Sequence, residues 1–463
     1  MSTTPRTRRA YVETYGCQMN ISDGELMEGI LAARGYEIVG VPEEADVVLV
    51  NTCAIREHAE QRVLGRVGQL GALKRQRPDL VIGVTGCMAQ RMGEALLGQA
   101  SHVDLVMGPD GYRSLPDALA RLGAPALLGG RANRPRRERS RRLAVLDLSL
   151  GENYEGLEQR RKEGASAWIP IQRGCGHRCT FCIVPYVRGP EKNRSALEIL
   201  DEVRGLAAGG VSDVTLLGQT VNSYAFEGWS FPRLLRDVAR VDGIRRVRFT
   251  SPHPNDVTPE LVEVMAAEPA VCELLHLPAQ SGSNRTLKRM LRRYTVESYL
   301  EKVELVRSAI PDIALSTDII VAFPGETEAE FQATLDLLRT VRFDDAFTYR
   351  YSLRDGTPAA RLPEGDFLPQ EEAQARLAKL IEVSRAIQAE INRGEVGRVV
   401  EVLVEKEARS EGHVLGRSRR NKVVAFPGSL DLVGSYRPVV LERTTGATFL
   451  GSEVPEPAFT ERS

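Results

Sequence analysis

The stretch Arg173-Gly-Cys-Gly-His-Arg-Cys-Thr-Phe-Cys-Ile183 places three cysteines, Cys175, Cys179 and Cys182, within eight residues. Tetrahedral metal sites and cubane iron–sulfur clusters normally take four protein ligands, and no fourth cysteine lies nearby in the sequence. Three thiolates can hold three corners of a four-iron cluster and leave the fourth iron open to a substrate or cofactor. The spacing therefore favours chemistry at a cluster. The alternative is a zinc site completed by His177 or by a distant ligand.

Strand and helix patterns alternate from this loop onward, as far as about residue 386. The run Trp168–Gln172 leads directly into the cysteines, and the later β-prone runs are Val214–Leu217, Val247–Thr250, Glu273–Leu277, Ile313–Val321 and Ala346–Tyr351. Between them, Ser195–Glu198 and Thr327–Glu330 fit the capping-box pattern, and Thr258 precedes a proline in a first helical turn. These six units predict a parallel (β/α)6 barrel, which is either complete or three-quarters of a complete barrel.

Four segments that follow these strands are polar or glycine-rich: Gly218–Tyr224, Ser251–Pro254, Pro278–Ser283 and Phe323–Thr327. Loops after barrel strands carry the chemistry in folds of this kind, so we expect the four segments to form the walls of a ligand site. Cys272 begins the fourth strand and has no partner in the pattern, so we predict that it lies in the core.

A second set of cysteines, Cys17, Cys53 and Cys87, occupies the first hundred residues. Each closes an apolar, β-prone run, and these runs are Ala10–Gly16, Asp46–Thr52 and Leu80–Gly86. The stretch from Arg56 to Lys74 has the spacing of an amphipathic helix, and strands that alternate with such helices predict a doubly wound parallel sheet. Ligands bind outside the carboxyl ends of strands in such sheets, so the three thiols are expected to converge on one edge. The alternative is three buried thiols that serve as small apolar residues.

Composition places the chain among soluble intracellular proteins. It has 463 residues, enough for roughly three domains, with 42% apolar and 27% charged residues. No apolar run approaches the ~18 residues of a membrane helix, and no apolar signal core follows the basic N-terminus. Seven unevenly placed cysteines favour reduced thiols in the cytoplasm. The net charge of −1 means that any nucleic-acid contact must depend on local positive charge.

Two further regions could supply such charge. Residues Arg131–Arg142 contain seven arginines, a pattern typical of a solvated linker that could also contact phosphates. From about Arg393 to Gly451 the sequence changes to short β-prone runs, which predict a small all-β barrel. The basic stretch Gly416–Lys422 is expected to form one of its loops. The strand runs are Arg398–Val404, Val423–Phe426, Tyr436–Glu442 and Ala447–Leu450.

The cysteine loop after a first barrel strand resembles that of the radical S-adenosylmethionine enzymes. Together with the N-terminal three-cysteine region, it makes nearly the whole chain similar to the methylthiotransferases of that superfamily. Thr14–Asn20 and Asn51–Glu57 are similar to the MiaB branch, which modifies adenosine 37 of tRNA, and Leu275–Ser283 and Ser316–Glu326 also resemble family segments. Where the family often has glycine, this chain has Ala322, a change that we expect to be tolerated.

The resemblance implies two [4Fe-4S] clusters and S-adenosylmethionine as cofactors. The open iron of the cluster on Cys175, Cys179 and Cys182 would bind S-adenosylmethionine and cleave it to a 5′-deoxyadenosyl radical, which takes hydrogen from carbon 2 of the adenine. The cluster on Cys17, Cys53 and Cys87 would hold the sulfur to be inserted. A second S-adenosylmethionine would supply the methyl group. The implied partners are the tRNA anticodon loop, a reducing electron-donor protein and a sulfur donor. We expect no membrane partner, and we expect the protein to be a monomer.

The same resemblance suggests cofactor contacts at the strand ends. Their candidates are Phe181, Gln219, Asn222, Ser251, Gln280 and Asp318, each of which could instead pack in a loop or cap a helix. Glu191 and Arg194 follow the cysteine loop and are expected either to bind cofactor or substrate or to form a surface ion pair.

The expected organisation has three folded domains of α/β and all-β type. A disordered tail (1–8) precedes the methylthiotransferase domain with its auxiliary cluster (9–126), and an arginine-rich linker (127–160) follows. The partial radical S-adenosylmethionine barrel (161–391), a small barrel that resembles the RNA-binding TRAM domain (392–455) and a second tail (456–463) complete the chain.

The leading hypothesis is sulfur and methyl insertion at carbon 2 of N6-prenylated adenosine 37 of tRNA. The same chemistry could act on threonylcarbamoyl-adenosine in tRNA or on an aspartate of a small-subunit ribosomal protein. A protein of a different class, a zinc-stabilised RNA-binding protein without catalysis, is the third hypothesis.

Overall fold

The computed structural model describes residues 7–54, 57–122, 142–161 and 164–455. The chain divides into two compact units: Met1–Lys162 with Gln172–Arg178 and Cys182–Arg194, and Glu163–Ile171 with Cys179–Phe181 and Ser195–Ser463. Of the predicted tails, residues 1–6 and 456–463 lie outside the described residues, and Arg8 already begins the first strand. The arginine run also lies outside them, except for Arg142. No helix in the described part of the chain has the length and hydrophobicity to cross a membrane.

The elements follow one another in a largely alternating order. The strands are β1 (Arg8–Thr14), β2 (Tyr36–Ile38), β3 (Val47–Thr52), β4 (Val81–Gly86), β5 (Leu105–Met107), β6 (Leu143–Val145), β7 (Ser166–Pro170), β8 (Gln172–Arg173), β9 (Lys192–Asn193), β10 (Asp213–Leu217), β11 (Ala225–Phe226), β12 (Trp229–Ser230), β13 (Arg246–Phe249), β14 (Leu274–His276), β15 (Ala314–Val321), β16 (Asp345–Arg350), β17 (Val399–Glu407), β18 (His413–Ser418), β19 (Val423–Pro427), β20 (Tyr436–Thr444) and β21 (Thr448–Glu453). The helices are α1 (Gln18–Ala33), α2 (Glu57–Gln76), α3 (Cys87–Met92), α4 (Glu94–Gln99), α5 (Leu115–Arg121), α6 (Val184–Arg188), α7 (Ala196–Ala208), α8 (Phe231–Ala239), α9 (Pro259–Ala267), α10 (Asn284–Arg289), α11 (Val296–Ala309), α12 (Glu328–Val341) and α13 (Gln370–Glu395).

The first unit is built on a six-stranded parallel sheet with the order β2-β1-β3-β4-β5-β6. Every residue of β3 and of β4 is buried, as expected for strands that are covered on both faces. Leu26 and Leu119, from α1 and α5, belong to the hydrophobic core on one face. Val63 and Val67, from α2, belong to the core on the other face. The doubly wound parallel sheet is therefore confirmed.

The described part of the predicted linker, 142–160, belongs to the first unit. Its residues Leu143–Val145 form β6, which pairs in parallel with β5. Arg142 donates hydrogen bonds to the carbonyls of Leu97 and Ala100 at the end of α4, and Tyr154 stacks on Tyr112 with ring centroids 5.7 Å apart. This arginine therefore binds a helix C-terminus, where unpaired carbonyls attract cations.

The second unit contains the predicted partial barrel. Its strands form the parallel sheets β7-β10-β13 and β14-β15-β16, which are joined by a parallel bridge between Val247 and Val271. Leu315 and Ile319 of β15 belong to the large hydrophobic core with the helices. Side chains alternate along a strand, so Ser316 and Asp318 lie on the opposite face, inside the barrel. All six predicted strands are present.

The helix starts match the predictions at two of three places. Thr327 and Glu330 form a complete capping box at α12, and Thr258 caps α9 by accepting from the Leu261 amide. Ser195 occupies the N-cap of α7, but its side chain makes no capping hydrogen bond, so the capping box predicted for Ser195–Glu198 is wrong.

The C-terminal part of the second unit is a closed five-stranded barrel with the order β17-β18-β19-β21-β20. The sequence predicted four of these strands and missed β18, so the loop expected at Gly416–Lys422 begins only after Ser418. A Cβ on Gly416 would lie 2.1 Å from the Leu403 carbonyl oxygen. Glycine therefore allows β17 and β18 to approach closely, and the residue that suggests a loop is required by the strand.

A buried arginine fastens the small barrel to the partial barrel within this unit. Arg246 is fully buried and donates to the backbone carbonyls of Arg417 and Glu401, both at 2.8 Å, and its ion pair with the Glu401 carboxylate spans 2.9 Å. From the predicted basic loop, Arg419 binds Glu273, and Lys422 binds Asp344. These two basic side chains therefore hold the two barrels together.

Replacing Arg246 by alanine should lower the free energy of unfolding by about 3–5 kcal/mol, because two backbone carbonyls and the Glu401 carboxylate lose the hydrogen bonds of one fully buried guanidinium. Arg245 offers a matched control: it binds the same Glu401 at 2.7 Å, but about half of its side chain (48%) is exposed. Arg245→Ala should cost less than about 1 kcal/mol in chemical denaturation. Equal losses in the two variants would contradict this assignment.

Candidate active site

Cys17, Cys53 and Cys87 lie at the carboxyl ends of neighbouring strands in the first unit. Cys17 is the N-cap of α1 shortly after β1, Cys53 directly follows β3, and Cys87 follows β4 as the first residue of α3. Since β1, β3 and β4 are adjacent and parallel, the three residues lie along one edge of the sheet. This edge is where doubly wound sheets bind ligands.

Two glycines allow the chain to turn at this edge. Gly16 has a φ of +127°, and a Cβ added to it would lie 2.4 Å from Cβ of Cys53. Gly86 has a φ of +92°, and its added Cβ would lie 2.5 Å from the Thr52 carbonyl oxygen. Only glycine fits both the dihedral angle and the space at these positions.

The thiols influence one another electrostatically. A hydrogen bond with Cys53 and the positive charge of Arg188 together lower the pKa of Cys17 to about 6, although burial acts in the opposite direction. Burial raises the pKa of Cys87, and Arg188 only partly offsets that effect. The arrangement thus places one acidic thiol and one neutral thiol beside a common guanidinium group.

A buried ionic network adjoins these thiols. Arg188 donates from Nε to Cys87 Sγ at 3.1 Å and from Nη2 to Asp23 Oδ2 at 2.8 Å. Arg173 Nη1 donates to the other oxygen of Asp23 at 2.5 Å. Burial raises the pKa of Asp23, but the two guanidinium groups outweigh it and hold this pKa below its ordinary value. The network therefore carries two positive charges and one negative charge.

The residues of the predicted cluster loop are divided between the two units, and each part has its own contacts. In the first unit, the Cys175 amide donates to the Gly189 carbonyl at 3.2 Å, and Ile183, which follows Cys182, belongs to a small apolar cluster with Cys87. In the second unit, Cys179 is buried and accepts a hydrogen bond from Arg292 Nη1 at 3.3 Å.

Thr180 and Phe181 also have partners in the second unit. The Thr180 amide donates to the Met290 carbonyl at 3.1 Å, and its hydroxyl donates to the Arg289 carbonyl at 2.9 Å. Phe181 is half-buried against an apolar cluster that contains Met290 and Phe323. Hydrophobic packing of the loop therefore explains the position of the Phe181 ring.

Two of the predicted cofactor contacts have buried acceptors without a hydrogen-bond partner among the described residues: Oε1 of Gln219 and Oε1 of Gln280. Buried acceptors are normally satisfied, so such atoms suggest that a bound group completes them. Ser251 and Gln280 also have positive φ values, +57° and +68°. Strained backbone of this kind is concentrated at functional sites.

The remaining candidates have protein partners. Asn222 exchanges two hydrogen bonds with the backbone of His253, which ties together two loops that follow strands. Asp318 lies inside the barrel, 3.3 Å from Nε2 of His276, whose Nδ1 lies 3.0 Å from the Ser316 hydroxyl.

Glu191 and Arg194 belong to the first unit. Glu191 accepts a hydrogen bond from Asn193 at 3.0 Å, and Arg194 directly follows β9. Cys272 is buried, as predicted for a core residue.

Ala322, where the resembling family often has glycine, adopts a left-handed backbone with a φ of +57°. This conformation costs an L-residue about 1–2 kcal/mol. Glycine would relieve the strain but add freedom to the unfolded chain. The chain therefore tolerates alanine here at a cost in stability.

Ala322→Gly should raise the free energy of unfolding by about 0.5–1 kcal/mol in chemical denaturation. Ala279 provides the control, because it is also buried at a strand end but is absent from the residues with positive φ. Ala279→Gly should destabilise the protein by about 1 kcal/mol. A loss of stability in both variants would refute the strain argument.

Comparison with family profiles finds three matches along the chain. Residues 9–108 match the Uncharacterized protein family UPF0004, residues 169–338 match the Radical SAM superfamily, and residues 393–451 match the TRAM domain.

Curated relatives extend over almost the entire chain. The tRNA-2-methylthio-N(6)-dimethylallyladenosine synthase of Chloroherpeton thalassium is 45% identical over 447 residues, which cover 96% of both chains. The synthase of the same name from Carboxydothermus hydrogenoformans is 45% identical and covers 95% of this chain and 97% of its own. The chain belongs to the tRNA-2-methylthio-N(6)-dimethylallyladenosine synthase family.

Solved structures agree with this synthase family at the level of the fold. The radical S-adenosylmethionine methyltransferase TsrM from Kitasatospora setae matches with a TM-score of 0.58 at 17% identity, covering 77% of this chain and 74% of its own. The cobalamin-dependent S-adenosylmethionine radical enzyme OxsB matches with a TM-score of 0.53 at 15% identity, covering 82% of this chain and 57% of its own. The resemblance to radical S-adenosylmethionine methylthiotransferases is confirmed by the family matches and the curated relatives, and these structures agree with it in fold.

No pattern in the sequence indicated the charged groups that contact the thiols. Arg188 lies 101 residues from Cys87, and Arg292 lies 113 residues from Cys179. Asp23 occupies a helix of low amphipathicity in which Asn20 and Ser22 are also buried. A buried aspartate in such a helix requires a charged partner, but nothing in the sequence identifies which one.

Proposed function

We propose that this member of the synthase family inserts sulfur and a methyl group at carbon 2 of N6-prenylated adenosine 37 in tRNA. In this proposal, Cys175, Cys179 and Cys182 hold the [4Fe-4S] cluster that binds S-adenosylmethionine, and Cys17, Cys53 and Cys87 hold a second cluster. The observation that carries the proposal is the gathering of this second thiol set at one sheet edge, in a chain that also contains the C-x3-C-x2-C loop.

The residues at the sheet edge fit an iron–sulfur cluster. Thiolates are the usual ligands of such clusters, and a cluster with three protein ligands keeps one iron open. The guanidinium of Arg188, in contact with Cys87, favours the thiolate form that ligation requires. When bound, the clusters and S-adenosylmethionine would supply the one-electron chemistry, the inserted sulfur and the methyl group.

The protein would contribute binding and orientation. Oε1 of Gln219 and Oε1 of Gln280 lack partners among the described residues, so they would accept N–H or O–H groups of the cofactor. Asp318 and His276 face the inside of the barrel and would bind polar groups there. Roles for Phe181, Asn222, Ser251, Glu191 and Arg194 at the cofactor belong to the same proposal.

The tRNA would be bound through the anticodon loop, with the TRAM domain as an additional contact. Arg419 and Lys422 hold the two barrels of the second unit together, so we assign phosphate contacts to other basic residues. These include the arginines of the run Arg131–Arg142 except Arg142, which binds the end of α4. An electron-donor protein, a sulfur donor, a monomeric state and a cytoplasmic location complete the proposal. The domain limits expected from the sequence are kept, except that residues 142–160 join the first domain.

Iron and acid-labile sulfide should be measured on protein prepared without oxygen. The parent should contain about eight irons, and the triple alanine variant of Cys175, Cys179 and Cys182 about four, because each [4Fe-4S] cluster depends on its own thiols. The triple alanine variant of Cys17, Cys53 and Cys87 should also retain about four.

Cys272→Ala is the matched control, since Cys272 is buried in the core, and it should retain about eight irons. If the parent held about four irons and the variant of Cys175, Cys179 and Cys182 held none, the assignment of a second cluster would be wrong. Zinc in place of iron would refute the catalytic assignment.

Substrate choice can be tested with three substrates. Incubation with reductant and S-adenosylmethionine should yield a 2-methylthio product, detected by nucleoside mass spectrometry, on tRNA with N6-prenylated adenosine 37. Threonylcarbamoyl-adenosine tRNA and the small-subunit ribosomal protein should be modified at least about 100-fold more slowly, because a site that fits the prenyl group leaves polar substituents unpaired. Preferential modification of either alternative would reassign the substrate.

A further inference from the structure

Arg188 contacts a candidate cluster ligand but is not itself expected to ligate metal. It ends the short helix α6, is fully buried and donates from Nε to Cys87 Sγ at 3.1 Å. The same guanidinium donates to Asp23 at 2.8 Å and to Asn20 Oδ1 at 3.4 Å. These three contacts fix the position of the group relative to the thiol.

The network around Arg188 has an unbalanced charge. Arg173 and Arg188 share the single carboxylate of Asp23, which leaves one net positive charge. The nearby ion pair between Lys192 and Asp110, at 2.7 Å, is balanced within itself. A buried charge is costly unless an opposite charge compensates it. The three cysteine sulfurs at this edge, once they ligate a cluster as thiolates, are the groups placed to do so.

We propose that Arg188 is a positioning residue that holds Cys87 for ligation and raises the reduction potential of the cluster bound at Cys17, Cys53 and Cys87. The inference rests on the proposed function, since it requires a cluster at these thiols. Reduction adds one negative charge to the cluster. A hydrogen bond to a ligand sulfur and a nearby positive charge both stabilise that added charge, and both are known to set cluster potentials.

Comparison with Arg173 distinguishes the effect of the hydrogen bond to sulfur from the effect of the positive charge. It binds the same carboxylate of Asp23, but its guanidinium lies over the Tyr154 ring, 4.6 Å from the ring centroid. Among the described hydrogen bonds, only Arg188 of this pair donates to a thiol. Replacing either arginine therefore removes one charge from the same network, and only the Arg188 variant removes a sulfur contact.

The test uses the full-length chain with Cys175, Cys179 and Cys182 replaced by alanine, so that any remaining iron reports on the other thiol set. In this background, Arg188→Met and Arg173→Met are compared by iron content and by redox titration followed by electron paramagnetic resonance. Arg188→Met should make reduction at least about tenfold less favourable, a drop of about 59 mV for a one-electron couple. Arg173→Met should lower the potential by clearly less.

Lysine variants keep the test decisive if a methionine variant does not fold. Lysine retains the charge but cannot reproduce the planar fork that reaches both Asp23 and Cys87. Arg188→Lys should therefore lower the potential more than Arg173→Lys. Equal shifts at positions 188 and 173 in a protein that holds about four irons would overturn the role of Arg188. Absence of iron from the background protein itself would instead contradict the proposed function.

Discussion

The buried carboxylate of Asp23 is the group on which the candidate site depends. It receives Arg173 on one oxygen and Arg188 on the other, and all three side chains are almost fully buried. Asp23 lies in α1, the helix that begins directly after Cys17, whereas the two arginines lie on either side of the C-x3-C-x2-C segment. One carboxylate thus connects the helix that follows Cys17 to the residues that flank the C-x3-C-x2-C loop.

Such a network stabilises only when it is complete. Transfer of three charges from water carries a large cost, and the loss of one partner leaves the others uncompensated. The geometry is favourable because each guanidinium binds a separate oxygen, and Arg188 has Asn20 as an additional acceptor. The glycines at positions 16 and 86 add a second constraint, since their backbone conformations allow Cys53 and the end of β3 to approach the neighbouring strand ends. Charge and backbone geometry therefore specify the same sheet edge.

Much of this architecture could be predicted from the sequence, because it depends on local patterns. Apolar β-prone runs located β3, β4 and all six barrel strands, and the cysteines at strand ends pointed to one edge. Prediction failed where a local pattern had another cause. Gly416 suggested a loop but permits the close approach of two strands, and β6 is only three residues long beside an arginine-rich run. The ionic network was not predictable, because the contact between Arg188 and Cys87 spans 101 residues.

Each of the two thiol sets has an arginine that donates to one of its sulfurs, and the surroundings of the two arginines differ. Arg188 shares a carboxylate with a second arginine. Arg292, which donates to Cys179, has neutral oxygens as its other hydrogen-bond partners in the described structure, namely the Tyr294 hydroxyl and the Pro278 carbonyl. A guanidinium next to a thiol favours the thiolate, although burial outweighs that effect at Cys87. The charges of Asp23 and Arg173 offset each other, so each thiol set lies near one net positive charge from these groups. In the proposed arrangement, three thiolates would ligate each cluster, and the two potentials would differ through the way the charges are arranged around each arginine.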